Sequence, residues 1–126
     1  MTGRVTSVLE ALTGTVDRVR GDLVAVSHQI HARPELAFEE RFASGLLADA
    51  LAGHGFAVER RVADLETAFV GRAGSGPLRV AVFAEYDALP GIGHACGHNV
   101  IAAAGLGAGI ALASVADELG ITVEVY

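Results

Sequence analysis

The chain has 126 residues, a formal net charge of −6, 52% hydrophobic residues and 19% charged ones. This length supports one domain that buries roughly two-thirds of its unfolded surface, and the apolar content excludes a disordered chain. Its nine basic residues, all arginine, are outnumbered by fifteen acidic ones and form no cluster, so neither nucleic acid nor an anionic membrane is an expected partner.

In residues 4–20, Val5, Val8, Leu9, Leu12, Val16 and Val19 recur at helical spacing, and Leu23, Val26 and Ile30 extend the pattern to His31. No apolar stretch of the signal-peptide type opens the chain, and a single cysteine excludes an internal disulfide, so a cytoplasmic location is expected. Arg33-Pro34 ends the helix, because a residue before proline avoids the α region. His28 and His31, three apart, read as exposed or capping histidines. Residues 35–53 predict a second helix with Phe38, Phe42, Leu46, Leu47 and Leu51 as its apolar stripe. Glu39, Glu40 and Arg41 are then expected to face water, and Gly53-His54-Gly55 to close the helix.

Two short strands, 56–62 and 67–72, are predicted next, followed by a glycine-rich turn over 71–77. Residues 78–84, Leu-Arg-Val-Ala-Val-Phe-Ala, are almost continuously apolar and predict a central strand buried on both faces. Residues 98–119 predict a helix rich in Ala and Gly. The uncharged stretch 100–116 is short and weakly apolar for a membrane span, and a helix buried against a sheet is the reading adopted. Residues 121–126 predict a last strand, expected at an edge. The sum is an α/β fold, a three-layer sandwich with a mixed sheet and a site at the strand ends.

The chemistry gathers in Glu85-Tyr86-Asp87-Ala88-Leu89-Pro90-Gly91-Ile92-Gly93-His94-Ala95-Cys96-Gly97-His98-Asn99, between the apolar strand and the buried helix. Cys96 and His98 are two apart, so extended backbone points both to one side, and thiolate with imidazole suits zinc and similar metals. His94 is a third candidate donor. Glu85 and Asp87 alternate likewise, as ligands or as groups that orient a ligand histidine. A buried inert cysteine and a Cys/His nucleophile pair are the alternatives at Cys96.

This stretch resembles the signature of M20-type metallopeptidases and amidohydrolases, in the branch with aminobenzoyl-glutamate hydrolase and Xaa-Arg dipeptidase-like proteins. Residues 30–40, Ile-His-Ala-Arg-Pro-Glu-Leu-Ala-Phe-Glu-Glu, are similar to a second segment of that family. The resemblance covers about residues 20–126. It implies the N-terminal portion of a zinc-peptidase-like catalytic domain, with residues 1–126 a partial domain and the lid or dimerisation domain absent. It implies metal-dependent hydrolysis of amide or peptide bonds in N-acyl amino acids or dipeptides. Cys96 and His98 match metal ligands, Asp87 matches the acid that supports the site, and Glu85 stands where other branches place a histidine ligand. The expected cofactor is a divalent metal, Zn or Mn, with Co a further candidate; the partners are a small amide or dipeptide substrate and, in the family, a second copy. The family's general-base glutamate has no counterpart here, so the chain alone is expected to be inactive and only marginally stable. A non-catalytic metal-binding or partner-binding module, or a truncated remnant, is the alternative.

Overall fold

The computed structural model describes residues 2–126. Helix α1 (Thr2–His31) is followed by α2 (Arg41–Gly53), strand β1 (Ala57–Arg60), β2 (Phe69–Gly74) and β3 (Leu78–Val82). Helix α3 (His98–Ala113), a single turn α4 (Ala116–Leu119) and strand β4 (Ile121–Val125) complete it. The four strands form one sheet in the order β1-β2-β4-β3. β1 pairs with β2 and β2 with β4 antiparallel, whereas β3 and β4 run parallel. A parallel pair needs a crossover between its strands, and α3 supplies it. The mixed sheet and the α/β class are those read from the sequence.

The helices share one core with one face of the sheet. Val26 and Ile30 of α1, Leu47 and Leu51 of α2 and Leu106 and Ile110 of α3 meet Val123 and Val125 of β4. Close approach of α3 depends on small residues: a Cβ added at Gly107 would lie 2.7 Å from Leu23, and one at Gly109 would overlap Val125. On the opposite face Arg72 and Arg79 both donate to Glu124 Oε1, at 3.2 and 2.6 Å, and Arg72 also reaches Glu59 at 2.9 Å.

Five expectations are corrected. The apolar run from Leu78 is an edge strand among the described residues, with Leu78 63% exposed. The central strand is β4, the one expected at an edge, with Val123 and Val125 buried. The second helix starts at Arg41, not at residue 35: Phe38 takes a left-handed φ of 68° and lies exposed, off the stripe. Glu40 is buried rather than in water, and accepts a hydrogen bond from Thr67 Oγ1 at 2.8 Å. The helix predicted to residue 119 ends at Ala113, and the chain turns at Ser114 and Val115 before α4.

Candidate functional site

The residues after β3 leave the sheet in extended backbone and return to start α3. Leu89 N–H donates to Gly93 O at 2.9 Å, closing a turn over Pro90 and Gly91. Gly97, with φ of 80°, caps α3 in the left-handed conformation that a side chain would disfavour. His98 is therefore the first residue of α3.

His98 meets two acids from the strand side of the loop. Its Nδ1 lies 2.7 Å from Asp87 Oδ1 and 3.0 Å from Asp87 O. A carboxylate and a carbonyl oxygen only accept, so Nδ1 carries the proton. In the neutral ring the lone pair then sits on Nε2, which faces Glu85 Oε2 at 3.3 Å. A carboxylate that fixes the tautomer from the far nitrogen is the arrangement found behind ligating histidines.

Cys96 is exposed, on the turn just before α3. His94 is enclosed instead. It is buried, neither ring nitrogen has a hydrogen-bond partner, and its ring centroid lies 6.2 Å from that of His31. Burial lowers its pKa, the neighbouring His31 adds to this, and the Ile30 backbone opposes it without being aligned as an acceptor. The sequence offered His94 as a third donor beside Cys96 and His98; the fold buries His94 and leaves Cys96 at the surface.

The donor chemistry fits a divalent metal in kind: a histidine with a free Nε2 lone pair, a thiol and a carboxylate. It is incomplete in number. Among the described residues, no three His, Cys, Asp or Glu side chains converge closely enough to hold an ion by themselves.

Sequence reading missed the groups that support this loop. Glu35, assigned to a helix, instead accepts from the first N–H groups of α2: Phe42 N–H to Oε2 and Ala43 N–H to Oε1, both at 2.9 Å. Its main-chain oxygen accepts from Ala88 N–H at 2.7 Å, and Leu36 bridges Ala88 in parallel. Asn99 Nδ2 donates to Ser27 Oγ at 2.9 Å, tying the first turn of α3 to α1. Beside the site, Glu40, Thr67, Tyr86, Glu85 and Asp87 help to line a cavity of about 390 Å³. Tyr86 donates to Thr67 O, and burial pushes its phenol up to about 12. Local spacing carries no signal for the contacts of Glu35 with Ala88, Asn99 with Ser27 and Tyr86 with Thr67, which join segments distant in sequence.

No family model matches the chain. A p-aminobenzoyl-glutamate hydrolase component of Escherichia coli is 34% identical, over 75% of this chain and 23% of the relative. The Xaa-Arg dipeptidase of Homo sapiens is 40% identical, over 75% of this chain and 25% of the relative. A solved structure of a dinuclear metal binding peptidase from the M20 family, from Bacillus subtilis, shares the fold with a TM-score of 0.76 at 24% identity. That match covers 86% of this chain and 34% of the other. The chain thus spans about a quarter of the length of the curated relatives it matches. In sequence the chain is therefore similar to about a quarter of these amidohydrolases and dipeptidases, and it shares its fold with the M20-family peptidase.

Proposed function

We propose that this chain is the metal-binding portion of a catalytic domain that hydrolyses amide or peptide bonds in N-acyl amino acids or dipeptides. The observation that carries the reading is the Asp87–His98 contact, which leaves His98 Nε2 free to coordinate. Cys96 and His98 would hold a divalent ion, zinc or manganese, with cobalt a usable substitute; Glu85 is a further candidate ligand. A bound metal would supply Lewis-acid polarisation of the amide carbonyl and a water of lowered pKa.

The chain's own residues have narrower tasks. Asp87 holds the imidazole in one tautomer and one orientation. Glu85, 3.3 Å from Nε2, accepts from that nitrogen when the ring is protonated and would be available to help hold an ion when it is not. His94 is too enclosed to be the first choice of donor. The cavity beside Glu85 and Asp87 is the natural place for the substrate part that flanks the amide.

A hydrolytic zinc site needs about three protein ligands and an open position. With fewer converging here, the 126 residues alone are proposed to bind metal and to turn over amides slowly or not at all. The test has two parts. Zinc, manganese and cobalt are titrated into the purified chain, and hydrolysis of N-acyl amino acids and dipeptides is followed. Metal binding lost on Cys96→Ser and His98→Ala supports the site. Failure of all three metals to bind overturns it. Metal-dependent turnover by the isolated chain overturns the claim of inactivity while sustaining the reaction.

A further inference from the structure

We infer that Glu35 is a positioning residue for the Asp87–His98 pair. This inference rests on the function proposed above only for its consequence; its geometry stands by itself. Glu35 makes two kinds of contact at once. Its carboxylate takes two of the N–H groups that a helix start leaves without internal partners, those of Phe42 and Ala43, at 2.9 Å each. Its main-chain oxygen takes Ala88 N–H at 2.7 Å. Ala88 follows Asp87 directly, and Asp87 uses both its carboxylate and its own carbonyl on His98 Nδ1.

The segment therefore fastens the loop to α2. Residues 33–40 have no helix or strand of their own to fix them. What fixes them is Pro34, the Leu36–Ala88 bridge, the Glu40–Thr67 hydrogen bond, Arg33 stacked over Phe42 and the Glu35 carboxylate at the positive end of α2. Both carboxylate oxygens are needed, since each serves one N–H. A glutamine at this position offers one acceptor and turns an NH₂ group toward the other N–H. That donor loses its partner, and the strain falls on the main chain that holds Ala88. Asp87 then loses its fixed distance to His98, and the imidazole is free to change tautomer.

The experiment uses the metal-free 126-residue chain labelled with nitrogen-15. Long-range nitrogen–proton spectra at mildly alkaline pH report which ring nitrogen of His98 carries the proton. In the wild-type chain His98 is expected as the single Nδ1–H form. In Glu35→Gln it is expected to become a mixture dominated by the Nε2–H form that free imidazole prefers. Glu35→Asp, which keeps both acceptors, is expected to recover part of the Nδ1–H form. Leu51→Ala, a core variant far from the loop, serves as the control for lost stability and is expected to keep the wild-type spectrum. A lowered melting temperature in Glu35→Gln with an unchanged His98 spectrum makes Glu35 a helix cap only and overturns the inference. A spectrum that changes equally in Leu51→Ala also overturns it. A cobalt titration of the same samples separates the two claims. If the tautomer shifts in Glu35→Gln but the wild-type chain binds no cobalt, the positioning role stands and the proposed function falls.

Discussion

At the scale of single residues, the site is built by what each side chain can accept or donate. Asp87 offers only acceptors to His98 Nδ1, so the ring presents Nε2 outward. Asp87→Ala removes this constraint, and metal affinity is predicted to fall by about 10–100-fold, as for other outer-shell partners of ligating histidines. Isothermal titration with zinc measures it, and an unchanged affinity would show that Asp87 does not support the ligand. His94 gives a pH prediction. Its pKa is lowered from 6.5 by burial first, so the unfolded chain takes up this proton at a higher pH than the folded one. Its contribution to stability is fully present above about pH 6.5 and is lost as pH falls through the folded value. His94→Leu is predicted to flatten the acid side of the stability profile in denaturant melts. An identical slope would mean that other groups set the acid limit. The residue types of this site were legible in the sequence, because Asp87, Cys96 and His98 sit within one short stretch. The inward turn of His94 was not, because two-residue alternation holds only in extended backbone, and the chain here turns through Gly91, Gly93 and Gly97.

At the scale of elements, the packing of α3 sets the start of the site. Gly107 and Gly109 let α3 lie against Leu23 and Val125, and Asn99 ties its first turn to Ser27. Gly109→Ala is predicted to destabilise the chain by about 1–3 kcal/mol, since the new methyl meets a packed β-branched side chain. Thermal unfolding checks this; a neutral or stabilising result would mean that α3 can shift on the sheet. The sequence revealed α3 as a buried helix through its uncharged Ala/Gly composition. The start of α2 was misread because Phe38 continued the apolar period, while the left-handed φ at Phe38 has no local signature and Glu35 caps from seven residues before Phe42, outside the usual capping positions. Strand order was misread for a related reason. An apolar run shows that a strand is half or fully covered, and it does not show which neighbour covers it. β4 enters between β2 and β3 only through the α3 crossover. Amide exchange is accordingly predicted to be slower in Ile121–Val125 than in Leu78–Val82, and the reverse order would contradict the topology.

At the scale of the whole molecule, the chain carries a continuous core, and among the described residues both sheet edges, β1 and β3, have a single strand partner. Among the described residues β3 has no second strand partner, and Phe83, just beyond it, is 71% exposed while stacked on Tyr126. Leu78–Val82 itself holds no proline or lysine, Pro77 stands just before it, and Arg79 is drawn onto the sheet face by Glu124. Self-association that grows with concentration is predicted in sedimentation velocity; a monomer at every concentration would contradict it. Family and fold class were legible because two motifs lie in order on a recognisable pattern of elements.

The central claim is that Cys96 and His98 share one divalent ion, with His98 oriented by Asp87. The most direct measurement is a cobalt(II) titration of the chain followed by visible and near-ultraviolet absorption. The account predicts a saturable spectrum with a thiolate-to-cobalt band that disappears in Cys96→Ser and a weakened spectrum in His98→Ala. A spectrum without the thiolate band, or one indifferent to both substitutions, would contradict it.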